Sequence, residues 1–216
     1  MNRIDLEPNS GCKDDRLDRI IGLTGGIATG KSTVANYLAQ TYHLPILDAD
    51  IYAREAVQPP SPILAQIHQH YGDRILQIDG TLNRRQLGRI VFEHPEERQW
   101  LEEQIHPYVR RRFLEGIADC RQRREAGDSP KPIVLAIPLL FEARMTDLVS
   151  EIWVVSCSLN QQKERLMKRD RLTLEEATAR IESQMPTVDK CDRANLILDN
   201  SSTSEIWVKQ LQAALR

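Results

Sequence analysis

The sequence predicts an α/β fold, a doubly wound parallel sheet of five strands, from two observations. Five short apolar runs alternate with helical stretches, and each run is brief and does not alternate with polar residues, as is typical of parallel strands covered on both faces. The predicted strands are Ile20–Thr24, Leu44–Leu47, Ile133–Ile137, Glu151–Ser156 and Leu196–Leu198. Such sheets bind ligands at the carboxyl ends of their strands. The loops that follow the strands are therefore the candidate functional sites.

The length and charge of the chain suit a single enzyme domain. The chain has 216 residues and a formal net charge of −2, from 29 basic and 31 acidic residues. That length fits one α/β domain with an insert, and the balanced charge gives no overall field that favours nucleic acid or a membrane surface. No apolar run approaches the roughly 20 residues that cross a bilayer. We therefore expect neither nucleic-acid nor membrane partners.

The amino-terminal segment and the cysteines bear on cellular location. Residues 1–18 are rich in acids and contain no apolar stretch, so they are predicted to be a disordered polar extension and not a secretory signal. The four cysteines lie far apart and form no C-x-x-C pair, as expected of reduced thiols. These features predict a cytoplasmic protein without a zinc site.

The loop after the first strand contains a phosphate-binding motif. Residues 25–32 read G-G-I-A-T-G-K-S and match G-x-x-x-x-G-K-[ST] at every fixed position, between a strand and an amphipathic helix. The loop N–H groups and the positive end of the helix can surround phosphates. Lys31 then reaches the β- and γ-phosphates and Ser32 binds Mg²⁺. The residues predicted to bind a nucleoside triphosphate are Gly25, Gly26, Ile27, Ala28, Thr29, Gly30, Lys31, Ser32 and Thr33. An ordinary glycine-rich turn is the alternative.

The rest of the chain narrows the class of nucleotide-binding protein. A GTPase switch carries D-x-x-G after the loop, and that pattern occurs nowhere in this sequence. A motor or transport ATPase has an apolar strand that ends in an acid, whereas residues 133–138 read I-V-L-A-I-P. These features favour a small-molecule kinase, in which phosphoryl transfer depends on positioning and charge neutralisation. A nucleotide-dependent regulatory protein without catalysis is the alternative from another class.

Two acids at the end of the second strand are candidates for proton transfer. Asp48 and Asp50 flank Ala49, and if the extended geometry persists, their side chains project to the same side. One carboxylate could then accept a hydroxyl proton while the other supports the water shell of the metal. The alternative is that both carboxylates cap the following helix.

Residues 58–131 form a long stretch without a predicted strand. Apolar side chains recur there at intervals of three and four residues, which predicts several helices in a subdomain over the active edge of the sheet. The arginines of this stretch are interpreted mainly as a solvated face, with phosphate binding as the alternative. They are Arg110, Arg111, Arg112, Arg121, Arg123 and Arg124.

Residues 160–186 are predicted to form a second helical segment, a lid. Within it, Thr173 is predicted to cap the later of two helices. Arg165 and Arg169 are four residues apart and share one helix face. Their guanidinium groups suit phosphate oxygens because the fork donates two parallel hydrogen bonds. The alternative is a solvated basic face, on which Arg169 pairs with Glu164 or Asp170.

Taken in order, the motifs resemble those of the dephospho-coenzyme A kinase family. They are G-L-T-G-G-I at residues 22–27, D-A-D at 48–50 with Ala53 and Arg54, His106-Pro107, P-L-L-F-E at 138–142, Arg165 with Arg169 and Asp170, Gln184 and Asn200. The resemblance covers residues 19–216 and implies a fold of the P-loop nucleoside-monophosphate-kinase type. It also implies that ATP phosphorylates the ribose 3′-hydroxyl of dephospho-coenzyme A, the last step of coenzyme A synthesis. Residues 58–131 would then bind the acceptor and residues 160–186 would be the lid.

The resemblance assigns roles to single residues. Asp50, the second acid of D-A-D, is the candidate base, and Lys31 and Arg169 are further catalytic candidates. The other predicted contacts are Arg54, His106 and Glu142 with the acceptor, and Arg165 and Asn200 with ATP. An alternative for His106 is that it caps a helix whose first turn holds Pro107.

Two departures from the family pattern affect these expectations. The family loop usually reads G-G-I-G-S-G-K-S, whereas Ala28 and Thr29 stand here in place of Gly and Ser. Activity should survive if φ of Ala28 is negative, and a positive φ would add about 1 kcal/mol of strain. Ser201 follows Asn200 where family members often have a glycine, so selectivity for the base is less defined. A kinase for another small acceptor, such as a nucleoside monophosphate, is the alternative within the same class.

Overall fold

A computed structural model describes residues 19–127, 129 and 131–216. Its strands are β1 (Ile20–Gly25), β2 (Ile46–Asp48), β3 (Ile133–Ala136), β4 (Glu151–Ser156) and β5 (Leu196–Asp199). They form one parallel sheet in the order β2-β3-β1-β4-β5. The predicted parallel sheet of five strands is confirmed. The predicted extension over residues 1–18 lies outside the described residues.

Helices lie between the strands, except that β3 and β4 are joined by a segment whose one helical part is a short 3-10 helix, Thr146–Leu148. The α-helices follow in chain order. They are α1 (Lys31–Tyr42), α2 (Ala49–Glu55), α3 (Pro62–Tyr71), α4 (Arg84–Glu93), α5 (Pro95–Glu125), α6 (Leu159–Asp170), α7 (Leu174–Glu182), α8 (Thr187–Cys191) and α9 (Ser204–Ala214). Thr173 caps α7 as predicted, in a capping box with Glu176. No helix within the described part of the chain combines the length and the apolar character needed to cross a membrane.

The second strand begins later than predicted. Leu44 lies before β2, because α1 ends at His43 in the left-handed conformation with φ of 53°. The backbone N–H of Leu44 then donates to the carbonyl of Leu38, 3.3 Å away, and so completes the helix end. Leu44 is buried, which explains its place in the apolar run. The strand itself extends one residue further than predicted, to Asp48.

The two faces of the sheet are covered by different helices, as doubly wound folds require. Because successive side chains of a strand point to opposite faces, Ile21 packs into a cluster with Trp207 of α9 on one side. Ile20 packs with Phe113 of α5 on the other. Each large apolar side chain buried in this way stabilises the fold by about 1.5–3 kcal/mol. The rigid sheet fixes where the strand ends lie.

The bounds of helix α5 contradict the alternative in which Pro107 lies in the first turn of a helix and His106 caps it. Pro107 lies inside this helix of 31 residues, which begins instead at Pro95. An interior proline costs about 3 kcal/mol because its N–H is missing and its ring clashes with the preceding turn. The helix continues because Val109, Phe113 and Ile117, at intervals of four, are all buried. Their burial outweighs the cost of the proline, and His106 lies in mid-helix.

The three consecutive arginines of α5 make ion pairs. Arg110 pairs with Asp147, and its guanidinium lowers the pKa of that carboxyl. Arg112 pairs with Glu55 and lies over the ring of Tyr52, 4.8 Å from its centroid. Arg111 pairs along its own helix with Glu115. These contacts agree with the interpretation of a solvated basic face.

Candidate active site

A cavity of about 730 Å³ lies where β1, β2 and β3 end. Its wall includes every residue of the predicted phosphate loop from Gly25 to Thr33, which follows β1. Asp50 after β2 and Pro138 after β3 add to this wall, as expected for the carboxyl edge of a parallel sheet. Further polar side chains in the wall are Glu102 and His106 of α5, Arg165 and Arg169 of α6, and Gln184. The structure therefore brings most of the predicted site residues together.

The phosphate loop is held by hydrogen bonds at several points. Thr29 turns the loop back on itself, since its hydroxyl donates to the carbonyl of Gly26 at 2.9 Å. The Asn200 amide donates to the Thr29 carbonyl at 2.8 Å. Gly30 takes φ of 102°, which favours glycine, and a Cβ there would clash with Asn200. These contacts give the loop a defined shape.

Lys31 is the most informative side chain in the cavity. The residue is 9% exposed, and its ammonium Nζ is buried without a hydrogen-bond partner among the residues that the structure describes. Lys31 is also the first residue of α1, where the helix end adds positive potential. A buried ammonium without a partner is costly. The site therefore fits an anion with several oxygens, such as a chain of phosphates.

Ala28 adopts the conformation that the sequence analysis associated with strain. Its φ is 61°, in the left-handed region. A residue with a Cβ in this region costs roughly 1 kcal/mol more than glycine does. The loop keeps its turn because Thr29 and Asn200 hold the neighbouring backbone.

The two acids after β2 differ in their surroundings. The extended backbone ends at Asp48, which caps α2 by accepting a hydrogen bond from the Asp50 N–H at 2.8 Å. The expectation that both side chains project to one side therefore fails, because helix α2 begins between them. Asp50 is exposed and lines the cavity, whereas Asp48 is not part of its wall. Capping accounts for Asp48, and Asp50 is available for chemistry.

His106 lines the cavity from α5 and is half-buried. Burial lowers the pKa of His106, and the nearby Glu102 carboxylate opposes this only in part. The imidazole is therefore neutral near pH 7. A neutral imidazole has one donor and one acceptor nitrogen for a polar ligand.

The two other predicted acceptor contacts lie outside the cavity wall. Arg54 is exposed, one helical turn after Asp50. Glu142 forms an ion pair of 2.9 Å with the fully buried Lys190 and accepts a hydrogen bond from the Met185 N–H at 3.0 Å. Contact of Arg54 or Glu142 with an acceptor stays a prediction.

The arginines of α6 line the cavity but also bind protein groups. Arg165 donates to the carbonyl of Asn200 at 2.9 Å, which places it beside the phosphate loop. Arg169 pairs with Asp170 at 2.7 Å, as in the alternative interpretation, and lines the cavity as well. This ion pair lowers the pKa of Asp170, and Arg180 pairs with the same carboxylate at 3.2 Å.

Sequence reasoning missed Gln162 and Lys190. Gln162 is buried, with 3% of the residue exposed, and its side-chain amide donates to the Ile27 carbonyl at 2.9 Å. Lys190 donates to the carbonyl of Pro138 at 3.1 Å. Both residues lie on helices among other polar residues, so no local pattern marks them as buried.

Comparisons with known proteins agree on one family. The chain matches the family model of dephospho-CoA kinase over residues 19–205. It is 59% identical over 198 residues to a dephospho-CoA kinase of Trichormus variabilis, and the alignment covers 91% of this chain and 96% of that protein. A dephospho-CoA kinase of Synechocystis sp. is 56% identical over 183 residues, with 85% and 88% covered.

Solved structures show the same relationship. The protein TT1252 from Thermus thermophilus superimposes with a TM-score of 0.73 at 34% identity, covering 92% of this chain and 96% of that one. Dephospho-CoA kinase from Campylobacter jejuni gives a TM-score of 0.65 at 27% identity, covering 91% and 96%. A shikimate kinase from Acinetobacter baumannii, at 13% identity and a TM-score of 0.50 over 94% and 96% of the two chains, shares the fold alone.

Proposed function

Because this chain belongs to the dephospho-CoA kinase family, as its motifs predicted, we propose how its residues move the γ-phosphoryl group of ATP to the ribose 3′-hydroxyl of dephospho-coenzyme A. The observation that supports this most is the buried Lys31 ammonium, which has no hydrogen-bond partner in the described part of the chain and shares a cavity with Asp50. The cavity therefore suits phosphates at Lys31, and the carboxylate of Asp50 lies in the same wall.

The phosphate loop binds the triphosphate of ATP. Its N–H groups and the positive end of α1 surround the phosphates, and Lys31 neutralises the β- and γ-phosphate oxygens. Charge on these oxygens changes during transfer, so the fixed ammonium stabilises the transition state. Asn200, directly after β5, braces the loop at Thr29, and Arg165 of α6 donates to the Asn200 carbonyl. Contact of these two residues with ATP stays part of this proposal.

Magnesium fits this site through few protein ligands. The described residues contain no cluster of three or more acids, histidines and cysteines that could hold a metal. Ser32 lines the cavity with an exposed side chain. A Mg²⁺ ion keeps several waters and binds phosphate oxygens, so the Ser32 hydroxyl would hold it there. When bound, the metal supplies positive charge to the phosphates.

Asp50 accepts the proton of the acceptor hydroxyl. Its carboxylate is exposed to the cavity and makes no side-chain contact that would neutralise it among the described residues. Asp48 holds the start of α2 and so orients Asp50. General base catalysis of this kind contributes about 10²–10⁴-fold.

The helices around the cavity bind the acceptor and close over it. In this proposal residues 58–131 bind dephospho-coenzyme A, with His106 as a polar contact, and residues 160–186 are the lid. Arg169 lies on the cavity side of α6 and would approach the transferring phosphoryl group on closure. Cytoplasmic location, and the expectation of no nucleic-acid or membrane partner, stay predictions.

An acceptor panel tests the function. ADP release is measured with dephospho-coenzyme A, a nucleoside monophosphate, a small hydroxylated metabolite and no acceptor, all with ATP and Mg²⁺. We expect dephospho-coenzyme A to give the highest kcat/KM. Faster turnover of another acceptor would assign a different kinase activity, and ADP release that no acceptor stimulates would indicate a nucleotide-dependent regulator.

A further inference from the structure

The backbone of Ile27 in the phosphate loop is held from two sides by glutamines. Gln162 donates from its Nε2 to the Ile27 carbonyl at 2.9 Å. Gln184 accepts from the Ile27 N–H at its Oε1, 3.0 Å away. A main-chain carbonyl only accepts and an N–H only donates, so the orientation of both amides is fixed by their partners. Both polar groups of one loop residue are thus satisfied by side chains.

The two glutamines belong to opposite ends of the lid segment proposed above, residues 160–186. Gln162 lies in the first turn of α6, where it is buried behind the loop. Gln184 follows α7 and lines the cavity itself. A residue near each end of the lid segment therefore hydrogen-bonds to the backbone of Ile27.

The attachment at Gln184 is stiff. The next residue, Met185, donates its N–H to Glu142 at 3.0 Å. Glu142 is ion-paired to Lys190, which is fully buried and also donates to the Pro138 carbonyl after β3. The Glu142 carboxylate is thus held by the buried ammonium of Lys190, and it fixes the backbone at Met185, beside Gln184. Gln184 consequently presents its oxygen from a defined position.

Gly26 supplies the room for this arrangement. A Cβ at Gly26 would lie 2.5 Å from Nε2 of Gln162 and would also clash with the hydroxyl of Thr187 in α8. The absence of a side chain at Gly26 therefore leaves room for Gln162, near the start of the lid segment, and for Thr187, just after its end. The second glycine of the loop has a packing role here, in addition to its match to the motif.

We propose that Gln162 and Gln184 are positioning residues, which set the backbone of Ile27 and couple the shape of the phosphate loop to the lid segment. This rests on the proposed function only for the naming of the lid. Loss of either hydrogen bond frees the Ile27 backbone, so the loop is no longer ordered for phosphate. Once one of these hydrogen bonds is lost, loss of the second should weaken ATP binding only a little further.

The test measures ATP binding by titration calorimetry without acceptor, for Gln162→Met, Gln184→Met and the double variant. Methionine keeps the length of the side chain and removes the amide. We expect each single variant to bind ATP about 5- to 20-fold more weakly, the scale of one buried hydrogen bond. The double variant should be weaker than either single one by less than the product of the two effects.

Controls separate positioning from general damage. Gln212→Met on the exposed surface of α9 should leave ATP affinity unchanged. The KM for dephospho-coenzyme A should change less than twofold in the single variants, since the acceptor does not contact Ile27 in this proposal. Should Gln162→Met not fold, Gln184→Met, at a half-buried position, decides alone.

Unchanged ATP affinity in folded Gln184→Met would overturn the proposal, and so would fully multiplicative effects in the double variant. A failure here is distinguishable from failure of the proposed function, because ATP binding needs no acceptor and the acceptor panel is read with the parent chain.

Discussion

Replacement of Lys31 by methionine should stabilise the ligand-free protein and remove its activity. Methionine keeps most of the apolar stem and removes the ammonium, which is buried without a hydrogen-bond partner in the described residues. A buried polar group that lacks a partner costs about 1–3 kcal/mol, and a charged one more. The amino-terminal end of α1 adds about 0.3–1 kcal/mol of repulsion.

The expected gain follows from these values. The cavity is open to water nearby, so we take the lower part of the range, about 1–3 kcal/mol. In a protein of this size each kcal/mol shifts Tm by about 2–4 °C, which predicts a rise of about 2–12 °C. Turnover should fall more than about 100-fold, because a fixed charge at the transferring phosphoryl group is lost.

Calorimetric unfolding without ligand and an ADP-release assay at saturating substrates measure the two effects. Lys209→Met on the exposed side of α9 is the matched control and should change neither. A lower Tm in Lys31→Met would refute the argument that the ammonium is held at a cost for its ligand. Normal turnover at saturating ATP would refute its role in transfer.

Three further predictions concern the cavity wall. Asp50→Asn should lower turnover roughly 10²–10⁴-fold with little change in acceptor KM. Asp48→Ala should mainly lower stability by about 0.5–2 kcal/mol, because it removes the side-chain oxygen that caps α2. The reverse pattern in kinetics and melting would exchange the two roles. Arg169→Ala should lower turnover at least about 10-fold. Its Tm should stay nearly constant, since the ion pair with Asp170 at the surface is worth about 0–1 kcal/mol. Equal turnover of the variant and the parent chain would show that Arg169 has no part in the function of the lid. Because burial lowers the pKa of His106 below its unfolded value, its contribution to stability is present above about pH 6.5 and is lost as the pH falls. A ¹H NMR titration midpoint below 6.5 is expected, and a midpoint above it would contradict the burial argument.

The sequence predicted the sheet and the phosphate loop because both follow from local patterns. Residues 20–24 form a brief, mostly apolar run without alternation, and the fixed residues of the phosphate loop define its backbone geometry. The start of β2 was misplaced because the apolar run includes Leu44, which is buried as part of a helix end and not as a strand. Local apolarity cannot distinguish these two kinds of burial.

The alternative for Pro107 was wrong for a related reason. A proline usually marks the first turn of a helix, but the buried side chains of α5 on both sides outweigh its local cost. Tertiary packing decided this element, and it is not visible in a short window of sequence. The ion pair of Glu142 with Lys190 joins residues 48 positions apart, so it too could not be predicted from spacing.

The prediction of the candidate site succeeded where a residue of suitable chemistry directly follows the end of a strand. Lys31 and Asp50 follow consecutive strand ends in sequence, and the sheet brings them into one cavity. Asp48 and Asp50 have different roles because α2 begins at Ala49, between them. The sequence pattern did not decide whether the backbone at Ala49 is extended or helical. The sign of φ at Ala28 likewise needed the three-dimensional turn.

Identification of the product tests the central claim most directly. The parent chain is incubated with ATP, Mg²⁺ and dephospho-coenzyme A, and the product is examined by ³¹P NMR and mass spectrometry. We predict one added phosphoryl group per acceptor, seen as a new phosphomonoester on the ribose 3′-oxygen, with one ADP formed for each. A phosphoryl group at another position, or ADP formed without a phosphorylated acceptor, would contradict the account.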